Sequence, residues 1–219
     1  MSAMASWRSA LSLVRQGVAF ELAIYRSLYR WVARRPVLTR PGQKPFGYAQ
    51  AVTPVLWLWI FASAMEIPLF HLLLPWQTAQ VISLVLGAWG LLWMLGYMAG
   101  LRVYPHLLDD QVLRVRNGAR IDVPIPLEAI ASIKATRRDL PSSMRSLQPR
   151  ETPDGTDLQV GVSGQVNVHV VLRRPLTVPT PKEPMEITEI SFLVDDPRAF
   201  VARTRQLLTS DVAQGDQPR

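Results

Sequence analysis

The chain has 219 residues, of which 48% are apolar, and it contains no cysteine. The absence of cysteine excludes disulfide scaffolds, cysteine-ligated metal centres and thiol catalysis. The charges are distributed unevenly, because only Glu66 is charged between Pro45 and Leu101. A soluble domain carries charged side chains on all of its exposed elements, so this distribution excludes an ordinary soluble protein.

The net charge of +7 comes from the N-terminal segment. Residues 1–44 hold eight basic residues and one acidic residue, whereas residues 102–219 hold 16 basic and 15 acidic residues. A nucleic-acid-binding domain carries its basic patch on a folded face, so we expect no nucleic-acid partner. A basic segment directly before an apolar run is instead typical of the cytoplasmic flank of a membrane span.

Residues 5–35 have the periodicity of an amphipathic helix that ends before Pro36. Five arginines fall on one stripe of this helix, and they are Arg8, Arg15, Arg26, Arg30 and Arg34. Aromatic and aliphatic side chains fill the other side, which predicts an interfacial helix on the anionic cytoplasmic leaflet. Glu21 falls on the apolar side. It favours the alternative, in which the helix packs against the cytoplasmic domain or a partner helix.

Two long apolar runs follow, at residues 49–74 and 79–101. Each exceeds the roughly 20 residues that a helix needs to cross a bilayer. The linker at 75–78 is short and uncharged, so the runs predict an antiparallel transmembrane hairpin. Basic residues flank the hairpin, and the positive-inside rule therefore places both termini in the cytoplasm of a multi-pass inner-membrane protein. The alternative, two core helices of a soluble bundle, needs more covering chain than is present.

Glu66 and His71 lie in the first apolar run. Ionisable residues inside a membrane point by default to a proton relay, an ion site or a partner contact. Their spacing separates them by about 140° around a helix, and the second run offers little polar character for a transport path. We therefore expect a structural role for this pair, with a functional role as the alternative.

Gly96 and Gly100 form a small-residue motif in the second apolar run. Glycines at this spacing let two helix backbones approach closely. The motif predicts helix packing, either within the hairpin or in a dimer.

Beyond residue 101 the apolar residues alternate with polar ones, which predicts half-buried strands. Seven strands are predicted, at residues 102–107, 111–116, 119–123, 130–136, 158–162, 166–172 and 187–194. Asn117-Gly118 marks a tight turn. Asp195-Asp196-Pro197 begins a C-terminal amphipathic helix.

Seven strands followed by one helix is the order of a pleckstrin-homology (PH) fold. In VYPHLLDDQVLRVRNG, PIPLEAIASIKA and ISFLVDDPRAFVARTRQLL the chain resembles bacterial membrane proteins that join a two-helix hairpin to a PH-like domain. The resemblance covers residues 46–209 and implies an integral-membrane α-helical hairpin plus a mainly-β PH-like domain. The predicted parts are a basic segment at 1–44, the hairpin at 45–101, the PH-like domain at 102–209 and a disordered tail at 210–219.

Two stretches of the predicted domain are rich in polar residues and proline, at residues 138–157 and 173–186. Both are predicted to be long flexible loops between strands. We expect variable connections there, with a docking peptide as the alternative.

The chain carries no catalytic signature. It lacks a glycine-rich phosphate loop and a nucleophile elbow. The acidic pairs Asp109-Asp110 and Asp195-Asp196 fit a turn and a helix cap better than a metal site. We therefore expect no enzyme activity, no cofactor and no metal.

A basic face is predicted near the first strands of the domain, where some PH domains hold lipid headgroups. It comprises Arg114, Arg116, Arg120 and Lys134. The resemblance suggests a headgroup or partner face there, and solvated strand charge is the alternative.

These features together predict a non-catalytic, membrane-anchored interaction or scaffolding protein. Its cytoplasmic PH-like domain is expected to recruit a protein or lipid partner at the inner membrane. Anionic lipids and an unknown protein, including a second copy of this chain, are the expected partners. The alternative is an ion- or proton-linked subunit of a transport assembly that uses Glu66 and His71.

Overall fold

The structure is a computed structural model that describes residues 2–35, 37, 42–141, 146–181 and 183–215. The chain divides into two compact units. The helical unit comprises Met1–Pro36 and Thr53–Val103, and the β unit comprises Val37–Val52 and Tyr104–Arg219.

The helical unit contains three helices, α1 (Ser2–Val32), α2 (Thr53–Leu73) and α3 (Gln77–Val103). α2 and α3 are long and apolar enough to cross a membrane. Only 6% and 11% of their most apolar windows are buried, so most of these side chains face outward and do not pack in a protein core. The two apolar runs thus form two candidate spans, as predicted.

α1 runs alongside α3 in the same direction. The rings of Phe20 and Trp93 lie 6.1 Å apart, and Arg102 lies over Trp31 with its guanidinium carbon 5.6 Å from the ring centroid. An advance of eleven residues along α1 thus matches an advance of nine along α3, which requires nearly parallel axes. This contact agrees with the alternative raised for α1, packing against a helix, and the interfacial placement stays a prediction. The amphipathic pattern is the same in both cases, because an apolar helix face fits a helix surface as well as a bilayer surface.

The β unit contains nine strands among the described residues. They are β1 (Lys44–Phe46), β2 (His106–Leu108), β3 (Val112–Asn117), β4 (Ile121–Pro126), β5 (Ile130–Asp139), β6 (Leu147–Thr152), β7 (Gly155–Val160), β8 (Gln165–Val178) and β9 (Met185–Phe192). One sheet has the order β1-β2-β3-β4 and the other has the order β5-β8-β9-β7-β6. All neighbouring strands are antiparallel except β7 and β9. The last helix, α4, spans Pro197–Gly215.

One hydrophobic core joins the two sheets and α4. Leu113 of β3, Val170 of β8 and Phe200 of α4 are fully buried in it. The side chain of Phe200 contacts Phe46 and Phe192 in edge-to-face ring packing, with centroids 4.8 and 5.5 Å apart. The mainly-β domain predicted from the alternating pattern is present.

The β unit is assembled from both sides of the α2–α3 segment. β1 precedes the segment, β2 follows it, and the two strands pair, with Lys44 opposite Leu108 and Phe46 opposite His106. The sequence analysis began the domain at residue 102 and assigned no strand before the hairpin. Three residues preceding an apolar run are too few for the alternation that identifies a strand.

Tyr48 anchors the segment that leads from β1 toward α2. It is fully buried, its ring packs on His106 with centroids 4.6 Å apart, and its hydroxyl accepts a hydrogen bond from Gly118 N at 2.7 Å. Asp195 adds two bonds to the same segment. Its backbone N–H donates to Gly47 O, and its Oδ1 accepts from Gln50 N, both at 2.8 Å.

The strand boundaries require corrections. Arg102 and Val103 complete α3 and do not begin a strand. The region predicted as a loop at 138–157 contains the β6–β7 hairpin, which turns at Pro153-Asp154 directly before Gly155. Proline, aspartate and glycine favour such a turn, and the exposed, polar β6 obscured the strand pattern.

The second predicted loop, at 173–186, is mostly a continuation of β8 and β9. β8 extends to Val178, and its register shifts between Val171 and Leu176. Pro175 lies within this irregularity, where a residue without an N–H is tolerated in a sheet. Pro175 thus interrupts the pairing locally without ending β8.

The predicted disordered tail begins within α4. This helix continues to Gly215, which corrects the prediction for residues 210–215. Residues 216–219 lie outside the described residues.

We predict that residues 104–215 alone will not form the stable β unit, because they lack β1 and Tyr48. Joining residues 42–52 to residues 104–215 through a flexible linker of about eight glycines and serines is expected to give a folded, monomeric protein with cooperative thermal unfolding. Size-exclusion chromatography and circular dichroism measure this difference.

Tyr48→Ala in the joined protein should reduce the free energy of unfolding by about 3–5 kcal/mol, as for other large buried aromatics. A fragment 104–215 as stable as the joined protein contradicts the assignment of β1 to this unit.

Candidate functional site

The small-residue motif of α3 contacts α1. A Cβ atom at Gly96 would collide with the Ile24 side chain and lie 3.0 Å from Ile24 O, and one at Gly100 would lie 3.7 Å from Ser27 Oγ. Ile24 and Ser27 are buried. The motif therefore packs α1, a partner that the sequence analysis did not consider for it.

Glu21 is hydrogen-bonded at the same α1–α3 contact. Its Oε1 accepts from the Tyr25 hydroxyl and from Trp89 Nε1, both at 2.9 Å. Trp89 Nε1 also donates to the Tyr25 hydroxyl oxygen at 2.8 Å, so its N–H has two acceptors. The acidic residue on the apolar face thus makes a protein contact, in agreement with the alternative raised for α1.

Glu66 and His71 are both exposed on α2. Within the described part of the chain, neither side chain makes a hydrogen bond or an ion pair. The structure does not bring the two side chains together, and no hydrogen bond among the described residues connects them.

The arginines of α1 are divided between two environments. Arg15 and Arg26 are exposed on the helix surface, and the side chain of Arg8 lies outside the described residues. Arg30 and Arg34 instead lie at the C-terminal end of α1. There they line a cavity of about 480 Å³ together with Trp31, Val32, Arg35, Arg102 and Val103.

The predicted basic face of the domain is only partly assembled. Arg114 forms a bidentate contact with Asp122, with Nε and Nη2 at 3.0 and 2.8 Å from the two carboxylate oxygens. This hydrogen bonding raises the pKa of the Arg114 guanidinium. Arg120 is exposed in the turn that follows β3, whereas Lys134 is exposed on β5 of the other sheet.

Arg116 is the buried member of this set, with a 2% exposed side chain. Its Nη1 donates to Val37 O at 2.7 Å. Its Nε lies 3.3 Å from Asp122 Oδ2, at ion-pair distance but without a hydrogen bond. Burial lowers the pKa of the guanidinium. Arg116 thus ties the chain near residue 37 to the sheet and is not available to a ligand.

A buried polar cluster lies on the five-stranded sheet, where the sequence analysis predicted none. Ser191 Oγ donates toward Asp157, whose two oxygens lie at 2.9 and 3.1 Å, and it lies 3.0 Å from His169 Nδ1. His169 Nε2 lies 3.5 Å from Glu189 Oε2. Burial lowers the pKa of His169, and the negative charges of Asp157 and Glu189 partly offset this shift because they raise the pKa.

The cluster does not have the geometry of a nucleophilic site. The Ser191 proton is directed to Asp157, and Ser191 is only 1% exposed, so a substrate cannot reach it in this conformation. Asp157, His169 and Glu189 each offer one ligand atom within 4.8 Å of the others, a separation that could accommodate a metal ion. Arg138 Nη1 lies 3.7 Å from Asp157 and already supplies a positive charge there. We therefore interpret the cluster as a buried hydrogen-bond network.

His106 forms a second buried site in this unit. Its Nδ1 accepts from Arg116 N at 2.9 Å, which assigns the proton to Nε2, and Nε2 donates to Leu193 O at 2.8 Å. The ring lies between Tyr48 and Phe192, with centroids 4.6 and 5.1 Å away. Burial lowers the pKa of His106 to about 4.

A shallow cleft of about 280 Å³ opens on the β unit. Its lining comprises Gln50, Ala51, Arg137, Gln165, Val166, Asn167, Leu193, Val194 and Asp195. Asn167 shapes one wall, because its side chain donates to Val194 O at 2.7 Å and accepts from Val194 N at 2.8 Å. The lining thus combines the charged side chains of Arg137 and Asp195 with apolar side chains such as Val166 and Leu193.

No family model, no curated protein and no solved structure matches the chain. The functional argument therefore depends on the geometry of these residues.

We predict that the stability of the protein will rise with pH between about 4 and 6.5, the folded and unfolded pKa values of His106. In this range the unfolded chain binds a proton that the folded chain excludes, so the stabilisation is complete above pH 6.5 and is lost as the pH falls to 4. The difference corresponds to about 3 kcal/mol. Denaturant unfolding of the detergent-solubilised protein across this range measures it.

His106→Gln should flatten this pH dependence, and the remaining slope is expected from His169, whose pKa is also lowered. An equal slope in His106→Gln and the wild type contradicts the assignment.

Proposed function

We propose that the protein is a non-catalytic, membrane-anchored interaction protein of the bacterial inner membrane. Its β unit would be a PH-like domain that recruits a protein partner on the cytoplasmic side. The pairing of β1 with β2 across the α2–α3 segment is the observation that carries the proposal. It makes the membrane hairpin and the domain parts of one architecture, with the hairpin inserted into the domain.

This pairing supports a two-span hairpin. Phe46 and His106 are directly opposite each other in the sheet, so the chain must leave and return on the same side of the membrane. An even number of crossings satisfies this condition, and α2 and α3 supply two.

The PH-like assignment is supported by the order and packing of the elements. Two mostly antiparallel sheets share one core, and the C-terminal helix α4 contributes Phe200 to it. The strand count and the parallel β7–β9 pair depart from the seven-strand pattern that motivated the resemblance.

Charge supports a cytoplasmic β unit. The basic residues flank the spans, with Arg34, Arg35 and Lys44 before α2 and Arg102 in the last turn of α3, whereas the connection at residues 74–76 is uncharged.

α1 runs parallel to α3, so we propose that it accompanies α3 through the membrane and places the N-terminus on the opposite side. This differs from the cytoplasmic N-terminus predicted from the sequence.

We predict that single cysteines will report this topology, since the chain has no native cysteine. Ser2→Cys and Gln77→Cys should react with a membrane-impermeant maleimide in intact spheroplasts. Thr209→Cys should react only after permeabilisation. Reaction of Thr209→Cys in intact spheroplasts contradicts the cytoplasmic placement of the β unit. Protection of Ser2→Cys contradicts only the proposal that α1 crosses the membrane.

The cleft of the β unit is the proposed partner site. A photo-crosslinking amino acid at Arg137 or Gln165, which both line the cleft, should give a discrete protein adduct in cells. The same probe at Glu186, exposed on β9 and not part of the cleft lining, is the matched control. Adducts that are absent, or that are identical at the control position, contradict recruitment through this cleft.

The transport alternative receives less support. Glu66 and His71 both face outward from the helices of one chain, so a path through them needs a second molecule. Glu66→Gln removes the ability to carry a proton while it keeps the shape, and full complementation of a deletion strain by this variant is expected for the interaction protein.

A further inference from the structure

We propose that the C-terminal ends of α1 and α3 bind the phosphate headgroup of an anionic membrane phospholipid. This inference rests on the membrane placement proposed above, and it assigns a site within the helical unit. The cavity of about 480 Å³ at these ends is lined by four arginines, which are Arg30, Arg34, Arg35 and Arg102.

The backbone of α1 ends in a way that presents these arginines. Arg35 N donates to Arg30 O at 2.8 Å, and Arg34 N donates to Trp31 O at 3.0 Å. The two bonds form a Schellman motif, whose left-handed position is usually glycine. Arg34 occupies it with a φ of 53°. Residues other than glycine rarely adopt this conformation, and at this position it places Arg34 beside Arg35 in the lining of the cavity.

The described lining of the cavity includes no acidic residue. Glu21 and Glu66 are the only carboxylate residues in the helical unit. Glu21 is hydrogen-bonded to Tyr25 and Trp89, and Glu66 lies on α2. Among the described residues, no ion pair involves Arg34, Arg35 or Arg102. Each guanidinium group in such a cluster can donate two hydrogen bonds to the oxygens of one phosphate, in a bidentate manner.

The position of the cavity favours a lipid over a soluble phosphate. Arg102 is the first charged residue after the apolar part of α3, so it marks the boundary where phospholipid phosphates lie. Trp31 and Val103 form apolar parts of the cavity wall, and Val32, which also lines the cavity, is 73% exposed. Basic pockets between membrane helices on the cytoplasmic side are typical binding places for anionic headgroups.

Arginines at helix C-termini also offset the helix dipole and direct membrane topology. Those roles need positive charge at this end but no selectivity among lipids. Selective retention of an anionic lipid therefore distinguishes a binding site from a general charge effect.

The test uses the full chain, purified in a neutral detergent with equal amounts of phosphatidylglycerol and phosphatidylcholine, and native mass spectrometry counts the lipids retained. The wild type is expected to retain one phosphatidylglycerol in preference to phosphatidylcholine. The double variant Arg34→Gly/Arg35→Gln should weaken this retention by about tenfold or more, since each arginine near an anionic headgroup contributes about 1 kcal/mol. Glycine suits the left-handed position, so the helix end is preserved.

The control variant Arg174→Gln/Arg198→Gln removes the same charge from exposed positions of the β unit and should leave retention unchanged. Equal retention of the two lipids by the wild type, or equal loss in both variants, overturns the site. Displacement of phosphatidylglycerol by sn-glycerol 3-phosphate at equal concentration assigns the cavity to a soluble phosphate and also overturns the lipid proposal. Cysteine labelling reports membrane placement separately, so correct topology without lipid retention rejects this inference alone.

Discussion

The pairing of β1 with β2 is the constraint on which the architecture depends. These strands are only three residues long, and alone they would contribute little. Tyr48 secures them by burying its ring against His106 and accepting a bond from Gly118. Without β1, the buried Leu107 and Leu108 of β2 would form an open sheet edge, which is prone to aggregation.

The helical unit lowers the entropic cost of this closure. Arg102 Nη2 lies 3.4 Å from Thr53 Oγ1, so packing of α2 against α3 already holds the two ends of the inserted segment together. Closing a loop whose ends are fixed costs far less than closing the same length of flexible chain. The hairpin and the short strand pair therefore stabilise each other through chain connectivity.

The sequence predicts the elements with strong periodic signals and misses those that depend on tertiary partners. The apolar runs identify α2 and α3, and alternation identifies the strands that line the core. β6 was missed because its exposed, polar residues follow no alternation. The placement of α1 could not be predicted, because Phe20, Ile24 and Trp31 suit a bilayer surface and the surface of α3 equally well.

The buried polar sites were unpredictable for a different reason. Asp157, His169 and Glu189 are far apart in sequence, and only the pairing of β9 with both β7 and β8 brings them together. A parallel contact between β7 and β9 leaves no local motif. His106 lies in β2, a strand of three residues whose partner β1 precedes the hairpin. Nothing in the sequence around His106 therefore indicates that it is buried.

Chain order has a consequence for how the protein folds. β1 and Tyr48 are synthesised before α2 and α3, yet their partners His106 and Gly118 follow those helices. The first strand must therefore remain unpaired until the hairpin has formed. Long-range closure of this kind is slow when the intervening chain is flexible. Formation of the α2–α3 contact removes most of that flexibility, so packing of these two helices is the step that allows the β unit to close.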